Sequence, residues 1–408
     1  MAETRRPDDS TQAPVSADGE QAENKTGSRG ETILTVLVCC ILLAGLGLFL
    51  LRAGLIPGKG GAEEPPSAQS AEKAAPDPPG TTSAPSPASA DWVEGDWAWE
   101  LENGILTVSG QGNIAAYGEL DEQPWTAQRE QITRVVIEEG ITGIGDDAFR
   151  YLPEMCAVEI PESVTVIGDA AFANCISLSE VKIPEGVTSI GYAAFYNCSS
   201  LRSVRIPAAV SFIGEDAFSC CGNLSALEAD PGNPRFCSID GVLFTKDGLT
   251  LLCCPAGLGS AEYAVPDGVT AIDACAFHGC RLVAVRIPDS VTAIGGSAFL
   301  DCDSLRGVRI PGGVTRIGGD AFRFCDHLVA VEMAEGVTTI GEDAFAYCGR
   351  LTEVRIPASV TKIEEGAFGG CTGLTDVYYS GRSEQWEALS VGDGNKALGQ
   401  AALHFGGE

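Results

Sequence analysis

Apolar residues recur along most of this chain in one fixed order: L-x-x-V-x-I, a proline, V-T-x-I-G, then A-F-x-x-C. Ala-Phe pairs end at Phe149, Phe172, Phe195, Phe218, Phe277, Phe299, Phe322, Phe345 and Phe368, in steps of 23, 23, 23, 59, 22, 23, 23 and 23 residues. A fixed period of this length predicts stacked units, each covering its neighbour's hydrophobic face. The step of 59 is one unit plus a 36-residue unit with an insertion, and the step of 22 is a one-residue deletion before Leu282.

The unit from Val181 to Leu201 shows what each position does. Val181-Lys-Ile183 alternates as a half-buried strand. Pro184 ends it, because proline has no N–H for another ladder rung. Val187 to Ile190 is a second short extended piece, and Gly191 permits the bend after it. Ala194-Phe195-x-x-Cys198 reads as one helical turn with Phe and Cys inward. Each buried Phe contributes about 2–3 kcal/mol.

Leu201 to Pro207 and Val337 to Cys348 carry the two halves of this pattern, and on them the chain resembles the BspA-like (treponemal-type) leucine-rich repeat family of bacterial surface proteins. The likeness covers about residues 94–405. Glu138, Asp230 and Ala334 replace the proline, and Asp273 and Glu364 replace the glycine. The resemblance implies a repeat solenoid: a right-handed, curved leucine-rich repeat stack, mainly β with short helical turns, at a cell surface. It implies no particular ligand.

Residues 1–31 are polar and expected to be a disordered tail. Ile33 to Leu51 holds no charge, which is long enough for one transmembrane helix ahead of the solenoid. A span of 32–51 is therefore expected as an uncleaved signal-anchor; a cleaved signal peptide is the competing reading. Lys25 and Arg29 on one side and Arg52 and Lys59 on the other leave orientation undecided by charge. The family resemblance implies a cytoplasmic N-terminus and an extracellular repeat domain at the cell membrane. Residues 52–90 are a Pro/Ala-rich linker, either an extended spacer or a flexible tether.

Four of the five tryptophans lie in 91–131 and the fifth is Trp386. Exposed ends of a solenoid need covering, so 91–131 is expected to be an N-terminal cap and 380–408 a C-terminal one, around repeats at 132–379. The first cap reads as two strands around a turn, the second as a short helix near Ser383–Leu389 and a strand near Leu403–Phe405. The insertion, about 229–262, reads as a hairpin turning at Asp247-Gly248, either structural or a projecting binding element.

The net charge of −30 argues against nucleic acid as a partner. Cys175, Cys198, Cys221, Cys280, Cys302, Cys325, Cys348 and Cys371 each follow a Phe by three. They form a ladder of parallel side chains, unsuited to disulfides. A bridge from Cys237 to Cys253 or Cys254 is left open. His278 and His327 are expected to face solvent. The doublets Asp146-Asp147, Glu215-Asp216, Glu342-Asp343 and Glu364-Glu365 read as solvated turn residues. No nucleophile motif, phosphate loop or metal-ligand spacing stands out, so no enzyme activity, cofactor or metal is expected.

The residue between Val and Ile must face outward. That column holds Lys182, Arg205, Arg286, Arg309, Arg355 and Tyr378. These are the candidate ligand-binding residues, for a protein or glycan met in adhesion or surface contact. The competing account is cross-strand pairing, Glu159 with Lys182 and Glu332 with its Arg neighbours. A structural scaffold of the envelope is the alternative function, and an enzyme using repeat-borne carboxylates a second one.

Overall fold

A computed structural model of the chain describes residues 94–118 and 122–406. The expected tail 1–31, membrane span 32–51 and linker 52–90 lie outside the described residues, as does Trp92. Among the described residues no helix is long and apolar enough to cross a membrane.

The described chain is a β-solenoid with two walls. The V-x-I strands form the front wall, and after the insertion this is a parallel sheet of seven, from Glu262–Ala264 to Ala402–Phe405. The V-T-x-I segments form the back wall, two-residue strands such as Ala293–Ile294 and Arg316–Ile317. At the start, Asp96–Glu102 pairs antiparallel with Ile105–Asn113. The second of these strands bends across both walls: Leu106 is in register with Val135 in front, and Gly112 with Ile141 behind. In the unit at 181–201 the front strand is missing, and Glu180 makes only an isolated bridge to Ala157.

The Ala-Phe segment is not a helical turn. Ala193 and Asn197 adopt left-handed φ of 51° and 54°, which an α-helix excludes. The N–H groups of Ala193, Phe195 and Asn197 donate to Glu215, Ala217 and Ser219 of the next unit at 3.0, 2.8 and 2.9 Å. Those of Ala194, Tyr196 and Cys198 close local turns three residues back. Alternate donors thus point along the stack, whereas a helix would bond every one of them to a carbonyl four residues back in its own segment. The inter-unit bonds offset the left-handed cost of about 1–2 kcal/mol per residue. Gly191 is needed for approach: a Cβ there would lie 2.5 Å from the Asp169 amide nitrogen of the preceding unit.

The interior is a column of stacked rings. Trp125 packs with Trp97, Trp99 and Tyr117 and stacks on Phe149 at 5.2 Å. The column continues through Phe172 and Phe195 to Phe218, centroids 5.3–5.5 Å apart. It breaks there and resumes from Phe277 to Phe368 at 4.6–5.3 Å. At the break Cys254 holds the phenylalanine's place: its N–H donates to Ala276 at 2.7 Å, and its carbonyl accepts the Cys280 thiol at 3.2 Å.

Two apolar cores result, and the insertion lies between them. Phe236–Ile239, Val242–Thr245 and Thr250–Cys253 pair antiparallel in series. Leu243 packs into the first core, while Val242 and Phe244 pack into the second. Thr250–Cys253 then starts the second back wall, in parallel register with Ala271–Ile272. The insertion is built into the stack and does not project from it. At the far end, Ser383–Glu387 and Lys396–Gln400 are short helices, with Trp386 edge-on to Tyr379 at 5.3 Å.

The cysteine ladder is buried and unbridged, and Cys237, Cys253 and Cys254 are free thiols. Its sulfurs act as more than apolar filler. Cys198 donates to Phe172 O at 3.2 Å, and Cys175, Cys221, Cys302, Cys325, Cys348 and Cys371 make the same bond to the phenylalanine carbonyl of the unit before, at 3.0–3.2 Å.

Candidate ligand-binding face

Strand alternation drives the candidate residues outward. Lys182, Arg205, Arg286, Arg309 and Arg355 are all exposed, and Tyr378 is half-buried. Register aligns them into a continuous row in the second block. Ala264 faces Arg286, Arg309 faces Glu332, Glu332 faces Arg355, and Arg355 faces Tyr378. The row extends one strand further than the sequence reading took it, because Tyr378 is in register with His404. The signal was present: Leu403-His404-Phe405 repeats the apolar–polar–apolar order of V-x-I.

The cations are paired, in a pattern the strand alternation does not reveal. Lys182 bonds Glu162 at 2.8 Å, Arg205 bonds Glu185 at 2.5 Å, Arg286 bonds Asp267 at 3.3 Å and Arg309 bonds Asp289 at 3.0 Å. Each partner is a carboxylate in the turn after the preceding unit's strand position. Glu159 is held by Arg134, not Lys182. Arg309 lies 3.8 Å from Glu332, and Arg355 bonds Glu353 on its own strand at 2.6 Å. These pairs are solvent-exposed and worth at most about 1 kcal/mol each, so an incoming ligand can exchange them cheaply.

Two open grooves lie on this row. One, about 550 Å³, is lined by Glu332, Glu335, Arg355, Tyr378, Ser380 and His404 among others. Its floor is a stack: Arg355 sits 4.6 Å over the Tyr378 ring, and Tyr378 stacks on His404 at 4.5 Å. His404 Nε2 is fixed 2.7 Å from Asp376. The hydroxyl of Ser380, followed by two backbone N–H groups, holds the Glu335 carboxyl below its usual range. The other groove, about 780 Å³, is lined by residues including Tyr263, Arg286, Asp289 and Arg309. The six candidates thus divide. Arg286 with Arg309, and Arg355 with Tyr378, are brought together at grooves, while Lys182 and Arg205 line neither.

Behind the sheet, the acidic doublets are not simple solvated turns. Asp147 pairs with Arg150 at 2.9 Å, and Arg323 joins Asp320 and Asp343 at 2.8 and 3.1 Å. Glu364 is chelated by both Arg316 guanidinium nitrogens and by Lys362, which brings its pKa down to about 2. His278 departs furthest from expectation. It is buried, with Nδ1 2.7 Å from Asp216 Oδ1. Burial would favour the neutral ring, but Asp216 and Cys220 outweigh it and raise the His278 pKa well above its usual value. Burial also works against ionised Asp216, and His278, Ser219 and Cys275 hold it below its usual range regardless. The insertion brings these residues together by making the units at 214–221 and 273–280 neighbours, which no local spacing discloses. His327 is exposed.

The model of the BspA type leucine rich repeat region matches residues 127–238 and 260–375, in 6 copies. A leucine-rich repeat protein from Eubacterium ventriosum is similar in structure, with 28% identity and a TM-score of 0.61 over 69% of this chain and 82% of that one. A leucine rich cell surface protein from Faecalibacterium prausnitzii shares 29% identity with a TM-score of 0.54, over 73% of this chain and 97% of that one. The pneumococcal vaccine antigen PcpA shares the fold at 18% identity and a TM-score of 0.51, over 78% of this chain and 87% of that one. None of the curated proteins matches.

Proposed function

This chain belongs to the BspA-type leucine-rich repeat family, and on that premise we propose that it is a surface-displayed binding protein whose front wall engages a protein or glycan. The observation that carries this reading is the coincidence of both grooves with the in-register row of Arg286, Arg309, Arg355, Tyr378 and His404. A flat guanidinium–phenol–imidazole stack beside carboxylates offers a face for rings and donors for polar groups, as macromolecular recognition requires. The similar Faecalibacterium protein is a leucine rich cell surface protein. In this reading, residues 32–51 anchor the chain in the cell membrane with the N-terminus inside, and 52–90 hold the solenoid away from it. Adhesion or host contact is the role such a display serves.

The test is a combined reversal, Arg286→Glu, Arg309→Glu and Arg355→Glu, read by binding to protein and glycan arrays and to host cells. Binding should be lost with the thermal midpoint nearly unchanged, since exposed pairs contribute little. The control reverses Arg202, Arg306 and Arg350, which are exposed in the turns leading into the strands. Equal loss from both sets would replace the specific face with diffuse attraction. No loss from either would favour the envelope scaffold, a reading that the ready-made pairing of every basic residue in the row also supports.

A further inference from the structure

We propose that Asp216, Cys275 and His278 form a binding site for a divalent transition-metal ion of zinc's class, clipping the two blocks of the solenoid together. One ligand atom from each of the three residues lies within 4.8 Å of the other two. A zinc ion bound at about 2.0–2.3 Å would hold such atoms roughly 3.3–3.8 Å apart, so closing on an ion requires only small side-chain shifts. The donors are an imidazole, a thiol and a carboxylate, the mixture that a borderline-soft ion favours. Cys220 lies alongside, its main-chain N–H donating to the His278 carbonyl at 3.4 Å. Both cysteines and Asp216 sit in left-handed positions, with φ of 59°, 56° and 59° for Cys220, Cys275 and Asp216. The inter-unit ladder that sets this conformation at Ala193 and Asn197 sets it at Cys220 and Cys275 too, and so fixes where these side chains start.

Comparison with other units separates this cluster from an ordinary ion pair. The position of His278, one after the phenylalanine, is arginine at Arg150 and Arg323, and each pairs with an aspartate in the left-handed position. Arginine cannot ligate a metal. Where the blocks meet, the cation is instead a histidine, and the left-handed column holds Asp216 followed by Cys275. Charge balances as well. A dication held by one carboxylate, one thiolate and one neutral imidazole leaves the junction uncharged, which burial favours.

The experiment uses the full chain, reduced and stripped of metal, titrated with cobalt(II). Saturation at one equivalent is expected, with a thiolate-to-metal absorption band and tetrahedral d–d bands. Zinc should displace the cobalt. Cys275→Ser should remove the charge-transfer band, His278→Asn should weaken binding at least tenfold, and Cys156→Ser, at an exposed thiol, should change neither. X-ray absorption of the unsubstituted zinc form should show mixed sulfur and nitrogen/oxygen ligands, a readout that does not depend on any variant folding. A sulfur-only shell, a spectrum indifferent to Cys275→Ser and His278→Asn, or no saturable uptake would each overturn the site.

Discussion

The block before the insertion and the block after it are built from the same unit yet joined by different means than those that hold each together. Within a block, neighbours meet through stacked phenylalanines, a thiol-to-carbonyl ladder and main-chain bonds, all repeated at every step. Between blocks the ring column stops at Phe218, Cys254 stands where a ring should be, and buried His278 with the half-buried Asp216, Tyr196, Cys220 and Cys275 faces across the joint. Periodic apolar columns need identical neighbours. Where an insertion removes that identity, polar groups with directional partners take over. The join is therefore expected to be the weakest and most condition-dependent step in a nearest-neighbour stack.

The largest expected effect tests the columns. Phe322→Ala should cost about 3–5 kcal/mol in denaturant unfolding, as for other buried aromatics. Phe218→Ala should cost less by about 1 kcal/mol, because Phe218 stacks on one ring and Phe322 on two. Equal costs would show that stacking adds nothing beyond burial.

His278→Ala comes next, at about 3 kcal/mol, since it leaves the Asp216 carboxylate without its cation. Hydrogen exchange should rise first at 214–221 and 273–280, and unfolding should separate into two steps. A uniform loss of protection across 134–379 would mean that the blocks are not separable.

In the metal-free chain the same pair sets a pH dependence. His278 is raised above its ordinary 6.5, so its contribution is complete below that pH and lost as pH climbs toward the folded value. Asp216 is lowered from 3.8, so its contribution is complete above that pH and lost as pH falls toward the folded value. The junction is strongest between these limits. Burial raises Asp273 and Asp301 to about 6, and they interfere below that pH. Glu215, Tyr196, Cys220 and Cys275 also face the cluster. Between about pH 6.5 and 8, stability should fall by at most about 1.4 kcal/mol per unit, and His278→Gln should flatten that slope. An unchanged slope would assign it elsewhere.

Sequence periodicity disclosed the columns because each V, I, F and C recurs at the same step and must face the same way. It marked the two ends as different from the repeats, because Trp125 and Trp386 break that composition there. It did not disclose the left-handed turns, since Ala193 and Asn197 carry no mark of their φ and only the inter-unit ladder stabilises it. The candidate face was legible as a row of outward residues, but its diagonal pairing with turn carboxylates depends on how units are offset. His278 was misread as solvent-facing because its partner lies 62 positions away, across an insertion whose path periodicity does not specify.

The smallest effect asks whether the two blocks are alike where they should be. Cys198 and Cys325 occupy the same position in different blocks, and each thiol bonds a phenylalanine carbonyl at 3.2 Å. That carbonyl also accepts a main-chain N–H, as Phe299 O does from Cys302 at 3.4 Å. Deleting the thiol therefore orphans no buried group, and the loss reduces to one weak hydrogen bond and a small cavity. Cys198→Ala and Cys325→Ala should each cost about 1 kcal/mol, equal within error, with the fold intact. Since the ladder holds free thiols, mild reductant should leave the unsubstituted melting point where it was. A larger cost for Cys325 would show that the closer ring spacing of the second block tightens its thiol ladder too, and that the blocks differ in packing as well as in how they are joined.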